Sequence, residues 1–209
     1  MDIFETLANE KIIPVVVIND ASKAIPLCEA MLACGINNIE ITLRTDAALE
    51  SIEKIANHCP DMLVSAGTVL TEKMADDAID AGADFLIAPG FDRQVAYHCA
   101  KKGYTFVPSA SSASDLCIAY KMDIRVVKFF PAEAIGGVKL LKALVGPFDK
   151  MRFIPTGGIN EENIKKYLGI TNVVACGGSW IVQESLVYNG DFDEIKARCT
   201  RVKKILEEV

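Results

Sequence analysis

The run Val126-Val127-Lys128-Phe129-Phe130-Pro131-Ala132-Glu133 sets one lysine in the middle of an apolar strand. Side chains alternate across a strand, so Val126, Lys128 and Phe130 share one face while Val127 and Phe129 share the other. Lys128 therefore points where a core residue belongs. Burying an ammonium costs several kcal/mol unless it is paired or neutral, and desolvation favours the neutral amine. A neutral amine is a nucleophile that forms Schiff bases with ketones and aldehydes. A structural lysine at a strand end, snorkelling or salt-bridged, is the other reading of the same spacing.

Further polar residues fall at matching places. In Ile39-Glu40-Ile41-Thr42-Leu43-Arg44, the residues Glu40, Thr42 and Arg44 share one parity and the aliphatic residues the other. On a parallel strand covered on both sides, that polar parity faces the interior. Glu40 is then a candidate proton shuttle for Lys128, and Arg44 a candidate clamp for a substrate carboxylate through its planar fork. The alternative is an amphipathic strand with its polar face to water. In Ser65-Ala66-Gly67-Thr68-Val69 the glycine allows a tight turn, and the Thr68 hydroxyl can help hold a carboxylate; a turn alone also explains the motif. Ala88-Pro89-Gly90 brings rigid backbone to the rim, with Pro89 lining the site or serving only as punctuation.

Two glycine pairs come last, in Pro155-Thr156-Gly157-Gly158-Ile159 and Cys176-Gly177-Gly178-Ser179-Trp180. They are expected in the loops after the seventh and eighth strands, where backbone N–H groups and a helix N-terminus receive phosphate in (β/α)8 barrels. Glycine permits close backbone approach, and Ser179 can donate from its hydroxyl. Two strand-to-helix turns requiring positive φ would leave the same signature.

The elements that must position these residues alternate short apolar runs with longer amphipathic stretches, the pattern of a parallel sheet. Eight runs are expected to be strands: Pro14 to Ile18, Ile39 to Leu43, Leu63 to Ala66, Phe85 to Ala88, Thr105 to Val107, Val126 to Phe130, Phe153 to Ile154, and Val173 to Cys176. Eight βα units predict an α/β protein closed as a (β/α)8 (TIM) barrel, with an open doubly wound sheet as the alternative. A short helix from about Asp2 to Asn9 is expected to cover the barrel floor, and the last helix to run from about Phe192 to Glu208. Asp20 and Ser22 open the first βα helix and Gly35 follows it, with Pro26 expected to bend it; Thr71 and Glu72 open another that stops at Gly82. No linker-like or low-complexity stretch interrupts the series, so residues 1–209 read as a single barrel domain.

Composition bounds the partners. The chain of 209 residues is 51% apolar and 24% charged, which reads as globular, and its net charge of −6 argues against a nucleic-acid surface. No stretch approaches a membrane span, and Met1-Asp2-Ile3-Phe4-Glu5 lacks a basic region followed by an apolar run. The seven scattered cysteines contain no Cys-x-x-Cys pair, so reduced thiols and a cytoplasmic setting are expected. His58 and His98 are the only histidines, far apart in helical regions, and no metal is expected.

Glu40-Ile41-Thr42-Leu43-Arg44-Thr45, Ala66-Gly67-Thr68-Val69, Lys128-Phe129-Phe130-Pro131-Ala132-Glu133, Pro155-Thr156-Gly157-Gly158-Ile159 and Gly177-Gly178-Ser179-Trp180 together resemble the 2-keto-3-deoxy-6-phosphogluconate aldolase family. The resemblance spans nearly the whole chain, in order. It implies a homotrimeric class I aldolase that uses no metal or other cofactor. Such enzymes cleave the phosphorylated keto acid to pyruvate and glyceraldehyde 3-phosphate, and often act on 4-hydroxy-2-oxoglutarate. It also implies roles: Lys128 forms the Schiff base, Glu40 transfers protons, and Arg44 and Thr68 hold the carboxylate. Gly157, Gly158, Gly178 and Ser179 match the phosphate pocket, and Thr156 and Phe130 line the site. One position departs from the resemblance: a glycine usually follows the fifth-strand proline, whereas Ser109 follows Pro108 here, which bears on substrate fit. A sugar-phosphate isomerase or epimerase on the same barrel, or a non-catalytic phosphate-ligand binding protein, would share the glycine loops without requiring the buried lysine.

Overall fold

The computed structural model describes residues 3–209; Met1 and Asp2, and with them the expected helix start at Asp2, lie outside the described residues. The eight strands β1 to β8 span Ile12–Val16, Asn38–Thr42, Leu63–Gly67, Phe85–Ile87, Phe106–Val107, Val126–Phe129, Arg152–Pro155 and Cys176–Gly178. Helix α1 (Ile3–Glu10) precedes β1, and the last strand is followed by α9 (Glu184–Asn189) and α10 (Phe192–Glu207). Between them, one helix follows each of the first seven strands: α2 (Ala24–Leu32), α3 (Ala48–His58), α4 (Glu72–Asp80), α5 (Arg93–Lys102), α6 (Ala113–Lys121), α7 (Gly137–Val145) and α8 (Ile164–Leu168).

Every strand pairing is parallel. The continuous ladder runs β5-β4-β3-β2-β1-β8, and β6 pairs with β7. Single bridges join the two pieces: Ser109 to Lys128 on one side, and Phe153 to Val173 and Thr156 to Gly177 on the other. The Lys128 N–H donates to the Pro108 carbonyl at 2.9 Å, and the Val174 N–H to the Phe153 carbonyl at 2.9 Å. The barrel thus closes, and the open-sheet alternative is excluded.

The alternation inferred for β6 and β2 is that of the two cores. Val126 packs inside the barrel with Ile13, Phe85, Ile87, Val107 and Ile154, and Leu7 of α1 joins them from below. Val127, Phe129, Ile39 and Ile41 belong instead to the layer between strands and helices. Lys128 and Glu40 are therefore interior by the same parity that makes Val126 interior. Fully burying a side chain such as Leu7 contributes about 1.5–3 kcal/mol towards holding α1 against the barrel floor.

Several local expectations shift. β1 begins at Ile12 rather than Pro14 because Ile12 pairs with Cys176, and Val17 and Ile18 continue past the ladder to the rim. At the other end, Val173 bridges β7 while Cys176 to Gly178 pair with β1, so the glycine pair assigned to a loop is itself strand. Glycine is depleted in strands, which hid it. Pro26 falls in the first turn of α2, where N–H groups have no intrahelical partner and proline is tolerated. Start signals hold at Thr71, whose side chain accepts from the Met74 N–H, and a capping box at Ser112 and Asp115 opens α6.

Candidate active site

Lys128 and Glu40 come from strands on opposite sides of the barrel wall and meet inside it. The Lys128 ammonium donates to Glu40 Oε1 at 2.9 Å, with the residues 5% and 1% exposed. The sequence pointed to burial driving the amine neutral; the structure shows a carboxylate offsetting that burial. Such a pair is sensitive to loss of either member, at about 3–5 kcal/mol, because the survivor is left as an uncompensated buried charge. The Phe130 ring lies 5.5 Å from Lys128 Nζ, its face supplementing the carboxylate.

Above the pair, a cavity of about 350 Å³ opens at the C-terminal ends of the strands. Lys128, Glu40, Arg44, Thr68, Pro89, Phe130, Thr156, Gly157, Gly158, Gly178 and Ser179 all line it, as do Thr42 and Gly177. Val15, Val17 and Ile159 were not singled out in the sequence. Their signal was there: Val15 and Val17 continue the parity of Ile13, which packs inside the barrel. Arg44 lies beyond the end of β2, in a turn where its N–H donates to the Thr42 carbonyl at 2.8 Å, so the turn rather than strand alternation delivers its exposed side chain. His58 on α3 and His98 on α5 are outside the cavity lining; His98 instead pairs with Asp76 at 2.8 Å.

Positive φ falls on Thr68 (63°) and not on Gly67, where the sequence placed the turn's freedom. A β-branched residue in that region is an outlier costing about 1–3 kcal/mol, persisting only where its surroundings fix it. Here the Gly67 carbonyl accepts from the Leu43 N–H and the Val69 N–H donates to the Ile87 carbonyl, clamping both sides of Thr68 at the cavity wall.

The two glycine pairs flank one end of the cavity. At Gly158 (φ 81°) a side chain would also meet Glu133 at 2.7 Å, so this turn admits glycine alone. Tyr167 holds Glu133 from beneath through a hydrogen bond from its hydroxyl; burial first, and the carboxylate second, push that phenol up. The N–H groups of Gly158 and Ser179 donate to no acceptor among the described residues, leaving them free for an anion. Neither pair abuts a helix: α8 begins only at Ile164 and α9 at Glu184, so any anion is received by turn amides and not by a helix terminus. Burial pushes the Cys176 thiol up, so it stays protonated and does not compete as a nucleophile. Ser109 is buried and bridged to Lys128, with its φ outside the left-handed region, so glycine's backbone freedom is not needed there.

Comparison with known proteins agrees with this geometry. A family model described as KDPG and KHG aldolase matches residues 3–198. A 2-dehydro-3-deoxy-phosphogluconate aldolase of Treponema pallidum is 41% identical over 204 residues, covering 98% of this chain and 97% of that protein. A crystal structure of KDPG aldolase from Legionella pneumophila, with pyruvate captured as a covalent carbinolamine intermediate, superposes with a TM-score of 0.91. It is 40% identical, covering 95% of this chain and 97% of that one. The aldolase of Zymomonas mobilis with 3-phosphoglycerate superposes at 0.88 with 35% identity, covering 95% and 94%. Fold and site together define a barrel aldolase of the Schiff-base class. Within that class, the chain belongs to the KDPG and KHG aldolase family.

Proposed function

We propose that the protein cleaves 2-keto-3-deoxy-6-phosphogluconate to pyruvate and glyceraldehyde 3-phosphate, and also accepts 4-hydroxy-2-oxoglutarate. The observation that carries this reading is the Lys128–Glu40 contact at 2.9 Å, at the base of a cavity with the free amides of Gly158 and Ser179 at one end. Glu40 takes a proton from the Lys128 ammonium, and the freed amine attacks C2 of the keto acid. Glu40 returns the proton to the carbinolamine hydroxyl, which leaves as water and gives the iminium. Glu40 then takes the C4 hydroxyl proton as the iminium accepts the electron pair of the C3–C4 bond and the aldehyde departs; the proton is returned to C3 of the enamine, and water hydrolyses the imine to release pyruvate and Lys128. Arg44 and Thr68 hold the substrate carboxylate, and Gly157, Gly158, Gly178 and Ser179 the phosphate, with Pro89, Phe130 and Thr156 shaping the wall between. The lining carries two cations and one carboxylate, a balance suited to an anionic substrate.

A coupled assay for pyruvate release on both substrates tests the reading, with turnover expected on each and unchanged by a chelator. Absence of pyruvate release from either substrate refutes it. The phosphate assignment has its own probe. Ser179 is exposed at the cavity, so Ser179→Ala removes a donor without filling space. A hydrogen bond to a charged group contributes about 1.5–3 kcal/mol, so kcat/KM for the phosphorylated substrate is expected to fall roughly 10- to 100-fold. That for 4-hydroxy-2-oxoglutarate should stay within about twofold. An equal fall for both places the phosphate elsewhere.

Assembly as a homotrimer in the cytoplasm belongs to the same proposal. Seven free cysteines support a reducing compartment, and the large apolar side chains of Leu70, Tyr97 and Tyr188 are exposed. No helix among the described residues is long and apolar enough to cross a membrane. Light scattering giving three times the chain mass is the expected result.

A further inference from the structure

We propose that Gly67 is a positioning residue whose missing side chain is the space in which the Glu40 carboxylate lies to reach Lys128. The inference deepens the reading of Glu40 as proton shuttle and rests on it. A Cβ built on Gly67 would stand 2.2 Å from Glu40 Oε1, 2.8 Å from its Cγ and 2.9 Å from its Cδ. All three nearest atoms belong to Glu40. The oxygen at 2.2 Å is the same Oε1 that receives the Lys128 ammonium, so a methyl group there cannot be absorbed without moving the atom that makes the contact.

The register explains the arrangement. Glu40 pairs with Ser65 and Thr42 with Gly67, so Gly67 lies one inward position further along β3 than the residue facing Glu40. The glutamate leans along the strand direction, over Gly67 and towards the cavity. Nothing else calls for glycine there. Its φ lies outside the left-handed region, unlike those of Gly82, Gly157 and Gly158, and it sits in a regular ladder that any L-residue could join. The requirement is for volume alone, and the volume is filled by one carboxylate.

Gly67→Ala in the full-length protein tests this. Turnover is expected to fall at least about 100-fold, as when an acid–base group is lost, with KM changed by no more than a few-fold. Shortening the acid restores room, so Gly67→Ala/Glu40→Asp is expected to turn over at least about tenfold faster than Gly67→Ala, a non-additivity that a merely structural role would not produce. A Gly67→Ala enzyme within threefold of the parent overturns the proposal, as does a double variant no faster than Gly67→Ala. Should Gly67→Ala melt far below the parent, Gly67→Ala/Glu40→Ala is compared with Glu40→Ala. Equal melting supports the clash with Glu40, and a lower value for the double variant overturns it. Glu40→Gln separates the two levels: parental turnover in that variant refutes the shuttle role itself, whereas a slow Glu40→Gln beside a fast Gly67→Ala refutes only the positioning role.

Discussion

Lys128→Arg is expected to abolish turnover, by more than about 10⁴-fold, the scale reached when a covalent nucleophile is removed. The substitution keeps a cation opposite Glu40, so the buried carboxylate stays paired and the barrel is expected to remain folded. What it removes is the amine. A guanidinium remains protonated in proteins and cannot form the imine, while a lysine relieved of its proton can. Borohydride with pyruvate should therefore leave a permanent adduct on Lys128 in the parent and none in the variant, as read by peptide mass spectrometry. An adduct on another residue, or turnover by the variant near the parental rate, is incompatible with Schiff-base chemistry at Lys128. A melting curve accompanies both measurements, because the guanidinium is bulkier and enters a position only 5% exposed.

The barrel was legible because parallel strands covered on both sides must be apolar runs, and eight of them recur at the spacing of βα units. The interior position of Lys128 followed from alternation alone, and Val126 beside Ile13 and Ile154 shows why: the lower barrel needs apolar side chains on the parity that the lysine uses higher up. Alternation failed where the ladder stopped. Arg44 and Phe130 reach the cavity from turns, where no periodicity governs direction. The glycines were legible as a group but not in their separate tasks. Gly158 needs a positive φ, Gly177 leaves room for Thr156, whose Oγ1 would stand 2.2 Å from an added Cβ, and Gly67 leaves room for Glu40. One residue type serves backbone freedom and vacant volume alike, and only the neighbours tell them apart. Strand parity already paired Glu40 with Lys128; what it could not give was their direct contact, since residues 88 positions apart meet only once the barrel has closed.

Glu40→Gln is expected to slow turnover by about 10²–10⁴-fold while preserving the fold. The amide is nearly isosteric with the carboxylate, and its oxygen can still accept from Lys128, but it cannot take up and return a proton. Among the described residues Glu40 is the only carboxylate in the cavity lining, and a hydroxyl on its own strand and one on the neighbouring strand are already engaged. The Thr42 hydroxyl donates to the Val16 carbonyl at 2.9 Å, and the Ser65 hydroxyl to the Ile39 carbonyl at 3.1 Å. Either of these hydroxyls would have to break its bond to carry a proton in place of Glu40. The loss should appear in kcat more than in KM, because substrate anchoring by Arg44 and the glycine turns is untouched, and borohydride should still trap pyruvate on Lys128, only more slowly. Turnover within a few-fold of the parent, in a variant that remains folded but melts lower, assigns the proton transfers to water and leaves Glu40 as the counter-ion that makes a buried lysine tolerable.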